Sequence, residues 1–349
     1  MATMTPTPID STIAVLSELI ADALREAPQP AGDADLPLLP GELMALALDA
    51  SAPQAAVMQL LTPSIPWDWP EAVAGSIPYQ QFTFADSVPA SVAPSVPYTA
   101  TATSLSQNYK SFLNLLAADS FPLKPLLDDV LGRCTPPNGS PGSMIAPDGW
   151  VCAPDGAGIS RWRPAYGVSM TPSEWVAQVA ANAADEVELA LPLAGDVMLK
   201  LHDAEGGHQA LALQGNAGRA VICARALTQV SLTPGRWYDA SLLQLGRNGP
   251  FVHGLAGTVP YEGLLTARVS AIIVACDPVL HISGPDTIGG VTSAALHAAT
   301  AVELGGFKFP APVAVQPPPV DDAMGGGTYA HRTQARGAWI VGVMLELFP

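Results

Sequence analysis

Apolar residues in the first third of the chain recur every three or four positions, the spacing of a helix with one buried face. In IDSTIAVLSELIADALREA the residues on that face are Ile13, Leu16, Ile20 and Leu24. In SLSQNYKSFLNLLAAD they are Leu105, Tyr109, Phe112 and Leu116. Three shorter helices, each with a proline at or near its start, are predicted for PGELMALALDA, PQAAVMQLL and PLKPLLDDVLGRC. The pattern predicts a helical region over residues 1–133.

Beyond residue 158 the pattern changes to short apolar runs and strict alternation, which are typical of strands. The strand-like segments are VELALPL, VMLKLHD, HQALALQ, RAVICARALTQVSL, TARVSAIIVAC and AWIVGVMLELF. VMLKLHDAEGGHQALALQ predicts a hairpin, because two alternating runs flank the turn-forming AEGG. The chain ends on a strand, which must pair inside a sheet or with a neighbouring molecule. We therefore expect an α+β fold in which a β-rich body follows the helical N-terminal region.

Two proline-rich stretches divide the chain. Prolines 89, 94 and 97 exclude a helix or a central strand around them, so residues from about 62 to 103 are expected to form an extended surface connector. Trp67 and Trp69 are placed to anchor this connector to a neighbouring surface, in the same molecule or in another. The Pro/Gly-rich loop 134–158 is the predicted boundary before the body at 159–349.

The sequences VSMTPSEW (168–175) and VSLTPGRW (230–237) are nearly the same. In both, an apolar strand end runs into Thr-Pro, a good N-cap followed by a residue suited to the first helical position. Each copy therefore predicts a strand followed by a helix start, with its tryptophan in the first helical turn. Thr171 and Glu174 complete a capping box in the first copy, and Arg236 removes the box from the second.

A second pair of similar segments, LAGDV (193–197) and LAGTV (255–259), has the same 62-residue offset as the first pair. Two matches on one ungapped register favour an internal duplication over chance. We interpret residues 167–228 and 229–288 as two copies of one unit of strand, helix and further strands.

Composition narrows the class of protein. Hydrophobic residues make up 49% of the 349 residues, charged residues only 13%, and the net charge is -16. Such a chain buries a large core and leaves a weakly charged surface, which associates easily. Its acidity repels phosphate, so nucleic-acid binding is not expected. The longest apolar stretches fall short of the about 20 residues of a membrane span.

The N-terminal MATMTPTPIDST lacks the basic and apolar regions of a secretory signal. We therefore expect a cytoplasmic protein, with export by a leaderless route as the alternative. The four cysteines show no CxxC spacing, which disfavours a zinc or redox motif. Cys134 and Cys152 flank a loop that a disulfide would staple, but two free thiols are favoured in a cytosolic protein. Cys223 and Cys276 lie in predicted strands and are expected to act as small buried hydrophobes.

Histidines supply the candidate chemistry. His202 and His208 can face each other across the predicted hairpin, but two ligands without a third make a poor metal site, and no metal is predicted. HISGPDTIGG places His281 near Asp286. No nucleotide-binding glycine motif and no nucleophile elbow occur, so no cofactor is predicted.

DDAMGGGTYAHR places Asp321 and Asp322 near His331, and general acid–base catalysis uses such side chains when they converge in a pocket. These three residues are the candidate catalytic site. The function we expect first is nevertheless non-catalytic: a self-associating structural or interaction protein whose partner is itself or another protein. The alternatives are a hydrolase or lyase that uses His331, and a leaderless secreted effector or toxin.

Overall fold

A computed structural model describes residues 8–26, 56–67, 85–94, 96–118, 124–138, 149–154, 159–181, 186–191, 197–213, 219–243, 265–285, 293–315 and 328–348. The longer helices in these residues are α1 (Pro8–Glu26), α2 (Leu105–Ala118), α3 (Lys124–Arg133) and α4 (Pro172–Ala181). The first nine strands are β1 (Ala56–Pro66), β2 (Ser87–Pro89), β3 (Ala100–Ser104), β4 (Trp150–Pro154), β5 (Ser160–Pro164), β6 (Tyr166–Val168), β7 (Val187–Ala190), β8 (Val197–His202) and β9 (His208–Leu213). The other nine are β10 (Arg219–Ala224), β11 (Ala226–Pro234), β12 (Ala267–Cys276), β13 (Val279–Pro285), β14 (Ala301–Leu304), β15 (Phe307–Pro310), β16 (Val313–Ala314), β17 (Thr328–Gln334) and β18 (Ala338–Leu347).

Three antiparallel sheets form the body. The central sheet has the strand order β1-β18-β12-β11-β6, the second sheet β16-β17-β13-β10-β7 and the third sheet β15-β14-β8-β9. Two further hairpins join β2 to β3 and β4 to β5. The fold is therefore α+β with a β-rich body, as the sequence predicts. The prediction that residues 1–133 are helical is wrong in part, because β1, β2 and β3 lie among them and β1 pairs into the central sheet.

The central sheet is buried on both faces, which explains its nearly continuous apolar strands. One face packs into a helix-side core with α2, α3 and α4, which contains Trp67, Tyr109, Phe112, Trp175 and Trp237. The other face packs into a sheet-side core with α1 and the two outer sheets, which contains Ile13, Leu16, Ile20, Leu199, Ile222, Leu280, Val302 and Phe307. Along β12, Ile272 and Val274 enter the helix-side core, whereas Ile273 enters the sheet-side core.

Three sharp corners lead from the second sheet into the central sheet, between β10 and β11, β12 and β13, and β17 and β18. Asp277, between β12 and β13, and Gly337, between β17 and β18, connect two of these corners by hydrogen bonds. The N–H of Asp277 donates to the carbonyl of Gly337 over 2.8 Å, and the N–H of Gly337 donates to the Asp277 carboxylate over 2.7 Å. Gly337 has a φ of 89°, which favours glycine. Because of these bends, consecutive strands belong to two different sheets, and both sheets pack against the sheet-side core.

Of the five helices predicted for the N-terminal region, three are confirmed and one is wrong. α1, α2 and α3 lie where they are predicted. The predicted apolar faces of α1 and α2 pack into the cores, with Leu24 only partly buried. Of PQAAVMQLL, predicted as a helix, residues 56–61 lie in β1, which pairs with β18 from Ala56 opposite Glu346 to Pro66 opposite Trp339. Pairing at the edge of an apolar sheet outweighs the local helix preference of Ala, Gln, Met and Leu. PGELMALALDA lies outside the described residues.

The predicted connector at about 62–103 is not confined to the surface. Trp67 is buried and contacts Trp175, with ring centroids 5.8 Å apart, so it anchors the connector within the molecule. Val88 and Tyr98 are also buried. Trp69 is not among the described residues. The domain boundaries at 133 and 159 stay predictions.

The two similar sequences at 168–175 and 230–237 lie side by side. β6 and β11 pair with Val168 opposite Leu232, and the N–H of Ser169 donates to the carbonyl of Ser231 over 3.1 Å. The capping box is confirmed: the Glu174 carboxylate accepts from the Thr171 N–H over 2.8 Å, and the Thr171 hydroxyl accepts from the Glu174 N–H over 3.3 Å. These hydrogen bonds from Thr171 lower the pKa of Glu174.

The helix start predicted for the second copy is wrong. β11 continues through Thr233 to Pro234, and Trp237 lies in the turn that follows. The reason is that β11 pairs with β6 and β12 on its two sides, so its backbone is already hydrogen-bonded as a strand. The internal duplication stays a prediction, because residues 244–264 of its second copy lie outside the described ranges.

Candidate functional site

The outer face of the third sheet carries a cluster of charged side chains. Alternation along VMLKLH turns Leu199 and Leu201 into the sheet-side core and leaves Lys200 and His202 on the other face. On β14, Glu303 pairs with Lys200, and on β9, His208 pairs with His202. The predicted hairpin is thereby confirmed, and its histidines lie next to a carboxylate from a third strand.

Glu303 is the centre of this polar cluster, which we define as Lys200, His202, His208 and Glu303. The Lys200 ammonium donates to Oε1 of Glu303 over 2.9 Å, and Nε2 of His202 lies 3.1 Å from Oε2. The Glu303 side chain is only 6% exposed, whereas those of Lys200 and His202 are 32% and 23% exposed. The rings of His202 and His208 are 6.2 Å apart. The carboxylate is satisfied on both oxygens and ties β8 to β14.

A cavity of about 160 Å³ adjoins the polar cluster. Its polar lining comes from Thr12, Lys200, His208 and Glu303, and its apolar lining includes Ile13, Met198, Ala210 and Pro97. This volume is below the about 300–1,000 Å³ of ligand pockets. Among the described residues, no three His, Cys, Asp or Glu side chains are grouped to hold a metal ion.

β9 is an edge strand of the third sheet, and no other described strand pairs with its outer side. Its sequence, HQALAL, contains neither proline nor any Lys, Arg, Asp or Glu. His208, Gln209 and Ala210 are exposed, and Leu211 and Ala212 are half-buried. An edge strand of six residues with these properties offers unpaired backbone groups to another strand.

In the three larger sheets, the other edges in the described part of the chain are protected. β6 and β16 have three and two residues. β7 carries Glu188, and β15 carries Lys308 and Pro310. Along β1, the Gln59 amide donates to the carbonyls of residues 91 and 93, and the N–H of residue 98 donates to the carbonyl of residue 60. Short length, charge, proline and cover are the usual protections against edge pairing. Among the edges of the three larger sheets, β9 is the described strand without them.

His331 lies on β17, opposite Ile282 of β13, and is only 2% exposed. Its Nε2 is 3.1 Å from Oγ of Ser293, which lies in a helical turn at 293–298. Burial and the nearby His297 lower the pKa of His331. Its predicted partners Asp321 and Asp322 lie outside the described residues, so their convergence with His331 stays a prediction.

His281 does not share the His331 environment. Because Ile282 is the residue opposite His331, the side chain of His281 points to the other face of the second sheet. Burial and the adjacent Arg332 lower its pKa. Its predicted neighbour Asp286 is not described.

A buried aspartate on the helix-side core has a structural explanation. Asp86 accepts hydrogen bonds from the N–H and hydroxyl of Ser106, over 3.0 and 2.8 Å, and from the Tyr166 hydroxyl over 2.8 Å. Burial raises its pKa. Asp86 thus caps the start of α2 and joins it to β6.

The four cysteines are free thiols. Cys134 is buried, and its thiol donates to the Trp237 carbonyl over 2.6 Å. Burial raises the pKa of Cys134 to about 12, which disfavours the nucleophilic thiolate. Cys152 is exposed on β4. None of the helices in the described residues is long and apolar enough to cross a membrane.

Sequence reasoning finds His202, His208 and His331 but misses Lys200, Glu303 and Ser293. Alternation in VMLKLH places Lys200 on the His202 face, so this residue could be found from the pattern. Glu303 lies about a hundred residues away, and no local signal in AVELGG indicates that β14 pairs with β8. In the same way, no local signal in the sequence indicates that Ser293 lies next to His331 on β17.

No family model, curated protein or solved structure matches this chain.

Proposed function

We propose that this chain is a non-catalytic, self-associating structural protein. The observation that carries the proposal is the edge strand β9, which lacks the charge and proline found on other edges of the three larger sheets and which no other described strand covers. Natural proteins that work as monomers blunt such edges, because an unpaired strand is a template for pairing with another chain.

The rest of the surface supports the same proposal. Charged residues make up only 13% of the chain, about half the usual share. Large apolar side chains are exposed on separate elements, among them Ile159, Val176 and Val313, which is 65% exposed. Weak charge and scattered apolar surface lower the desolvation cost of bringing copies together.

Sedimentation of the purified full chain over a hundredfold range of concentration tests the proposal. We expect a discrete species heavier than the 36.0 kDa chain, with a population that rises with concentration. A single 36.0 kDa species throughout would contradict self-association.

A second candidate function, hydrolysis through a serine nucleophile, is favoured by one observation. Oγ of Ser293 lies 3.1 Å from Nε2 of His331, within the hydrogen-bonding reach of a nucleophile and its general base. The lowered pKa of His331 keeps its imidazole neutral, which a general base requires.

Covalent labelling by a fluorophosphonate probe tests this second function. The wild-type chain is expected to react once, and Ser293→Ala is expected to abolish the reaction. Ser241→Ala, the same change in a separate helical turn, is the matched control and should leave labelling intact. An unlabelled wild-type chain would exclude the serine hydrolase.

A further inference from the structure

We propose that β9 pairs antiparallel with β9 of a second copy of this chain across a twofold axis. The pairing joins two third sheets into one continuous eight-stranded sheet. It rests on the proposed function, since it names the partner and the interface through which the chain associates.

The geometry of β9 suits pairing with itself. A twofold axis perpendicular to the sheet keeps each side chain on its own face, so the pairing is centred on a residue, either Ala210 or Leu211. With either centre, His208 does not face its own copy, and Ala210 and Ala212 bring no bulk to the shared face. Leu211, half-buried in one copy, lies directly opposite or diagonal to Leu211 of the second copy on the other face.

Charge also favours this strand as the contact between copies. Each chain carries a net charge of -16, so two copies repel wherever acidic surface meets acidic surface. HQALAL has no acidic residue. Asp203 and Glu205 lie in the turn before His208, and antiparallel pairing carries them past the end of the partner strand, away from their own copies.

The pairing also extends the polar cluster. Because the twofold axis preserves the faces, both copies present Lys200, His202, His208 and Glu303 on one side of the eight-stranded sheet. His208 and Ala210 line the cavity of about 160 Å³, so the partner strand lies at its rim. Assembly therefore doubles this polar surface without covering it.

Ala210→Lys tests the interface, because Ala210 is exposed. Ala210 lies opposite Lys200 within the chain, so Ala210→Glu, which places the opposite charge against Lys200, is made in parallel. In the pair of strands the two lysines lie directly opposite or diagonal to one another. We expect the dissociation constant to rise about tenfold or more. Ala190→Lys is the matched control, because it makes the same change at an exposed alanine on the edge strand β7, which carries Glu188. It should leave the mass of the assembly in solution unchanged. Circular dichroism checks that both variants keep the wild-type fold.

Mixing Ala210→Lys with Ala210→Glu provides the positive test. Opposite charges at the same positions should restore a mixed assembly that neither variant forms alone, measured by sedimentation. Persistence of the wild-type mass in Ala210→Lys would overturn the β9 interface and leave self-association standing. A wild-type chain that sediments at 36.0 kDa throughout would overturn both.

Discussion

Glu303 shows how one buried charge is compensated in this fold. Its carboxylate has a cation or a protonatable ring on each oxygen, at 2.9 and 3.1 Å, and all three residues come from strands of the third sheet. Removing the carboxylate leaves Lys200 and His202 facing each other without their shared partner. Both are partly exposed, so water compensates some of the loss.

We expect Glu303→Ala to lower the free energy of unfolding by about 1–3 kcal/mol, less than the about 3–5 kcal/mol seen when a fully buried pair is broken. Urea unfolding at fixed protein concentration measures it. Glu188→Ala is the matched control: its side chain is 57% exposed and 3.8 Å from Arg219, so the change should stay within about 0.5 kcal/mol. Equal losses in the two variants would contradict the role of Glu303.

His331 makes stability depend on pH. Burial and His297 lower its pKa in the folded chain, so the unfolded chain binds the proton more tightly. The free energy of unfolding should therefore fall as pH drops below about 6.5, the ordinary value for histidine, and level off below the folded-state pKa.

His331→Gln should reduce this loss of stability, because glutamine binds no proton. The measurement is the midpoint of urea unfolding at several pH values from about 8 downward, for both proteins. If the two proteins lose stability in parallel below pH of about 6.5, then His331 is not the group responsible.

The two similar eight-residue sequences separate local from long-range determinants at the scale of elements. Thr171 and Thr233 both precede proline, but Thr171 begins α4 and Thr233 lies inside β11. The difference comes from the capping box in the first copy and from the two neighbouring strands of β11 in the second.

Thr171→Ala should therefore lower the free energy of unfolding by about 1 kcal/mol, the usual loss of a helix N-cap. Thr233→Ala, the same change in the other copy, removes no cap and should stay within about 0.5 kcal/mol. Thermal or urea unfolding of the two variants side by side gives the comparison. If Thr171→Ala lost no more stability than Thr233→Ala, the cap would contribute little to the stability of α4.

Helices and strands whose apolar residues recur with a clear helical or strand period could be predicted from the sequence. Those whose structure depends on pairing with distant segments could not. The apolar stripe of α2 and the alternation of β8 and β9 are visible in short segments. β1 could not be predicted from its own segment, because AVMQLL contains helix-forming residues. It becomes a strand by pairing with β18, almost three hundred residues later. The polar cluster and the Ser293–His331 contact depend on pairings of the same long-range kind.

The whole molecule combines an apolar, acidic composition with an edge strand that no other described strand covers. The acidic charge keeps copies apart at long range, and β9 offers backbone pairing at short range. Salt screens the repulsion, with a Debye length of about 10 Å at 0.1 M and about 3 Å at 1 M, and leaves the backbone hydrogen bonds in place. Association should therefore strengthen as salt increases.

The most direct test is the mass of the purified protein in solution by light scattering, at two protein concentrations and two salt concentrations. We expect a discrete mass above 36.0 kDa at the higher protein concentration, with a larger associated fraction in high salt. A mass of 36.0 kDa under all four conditions would contradict it.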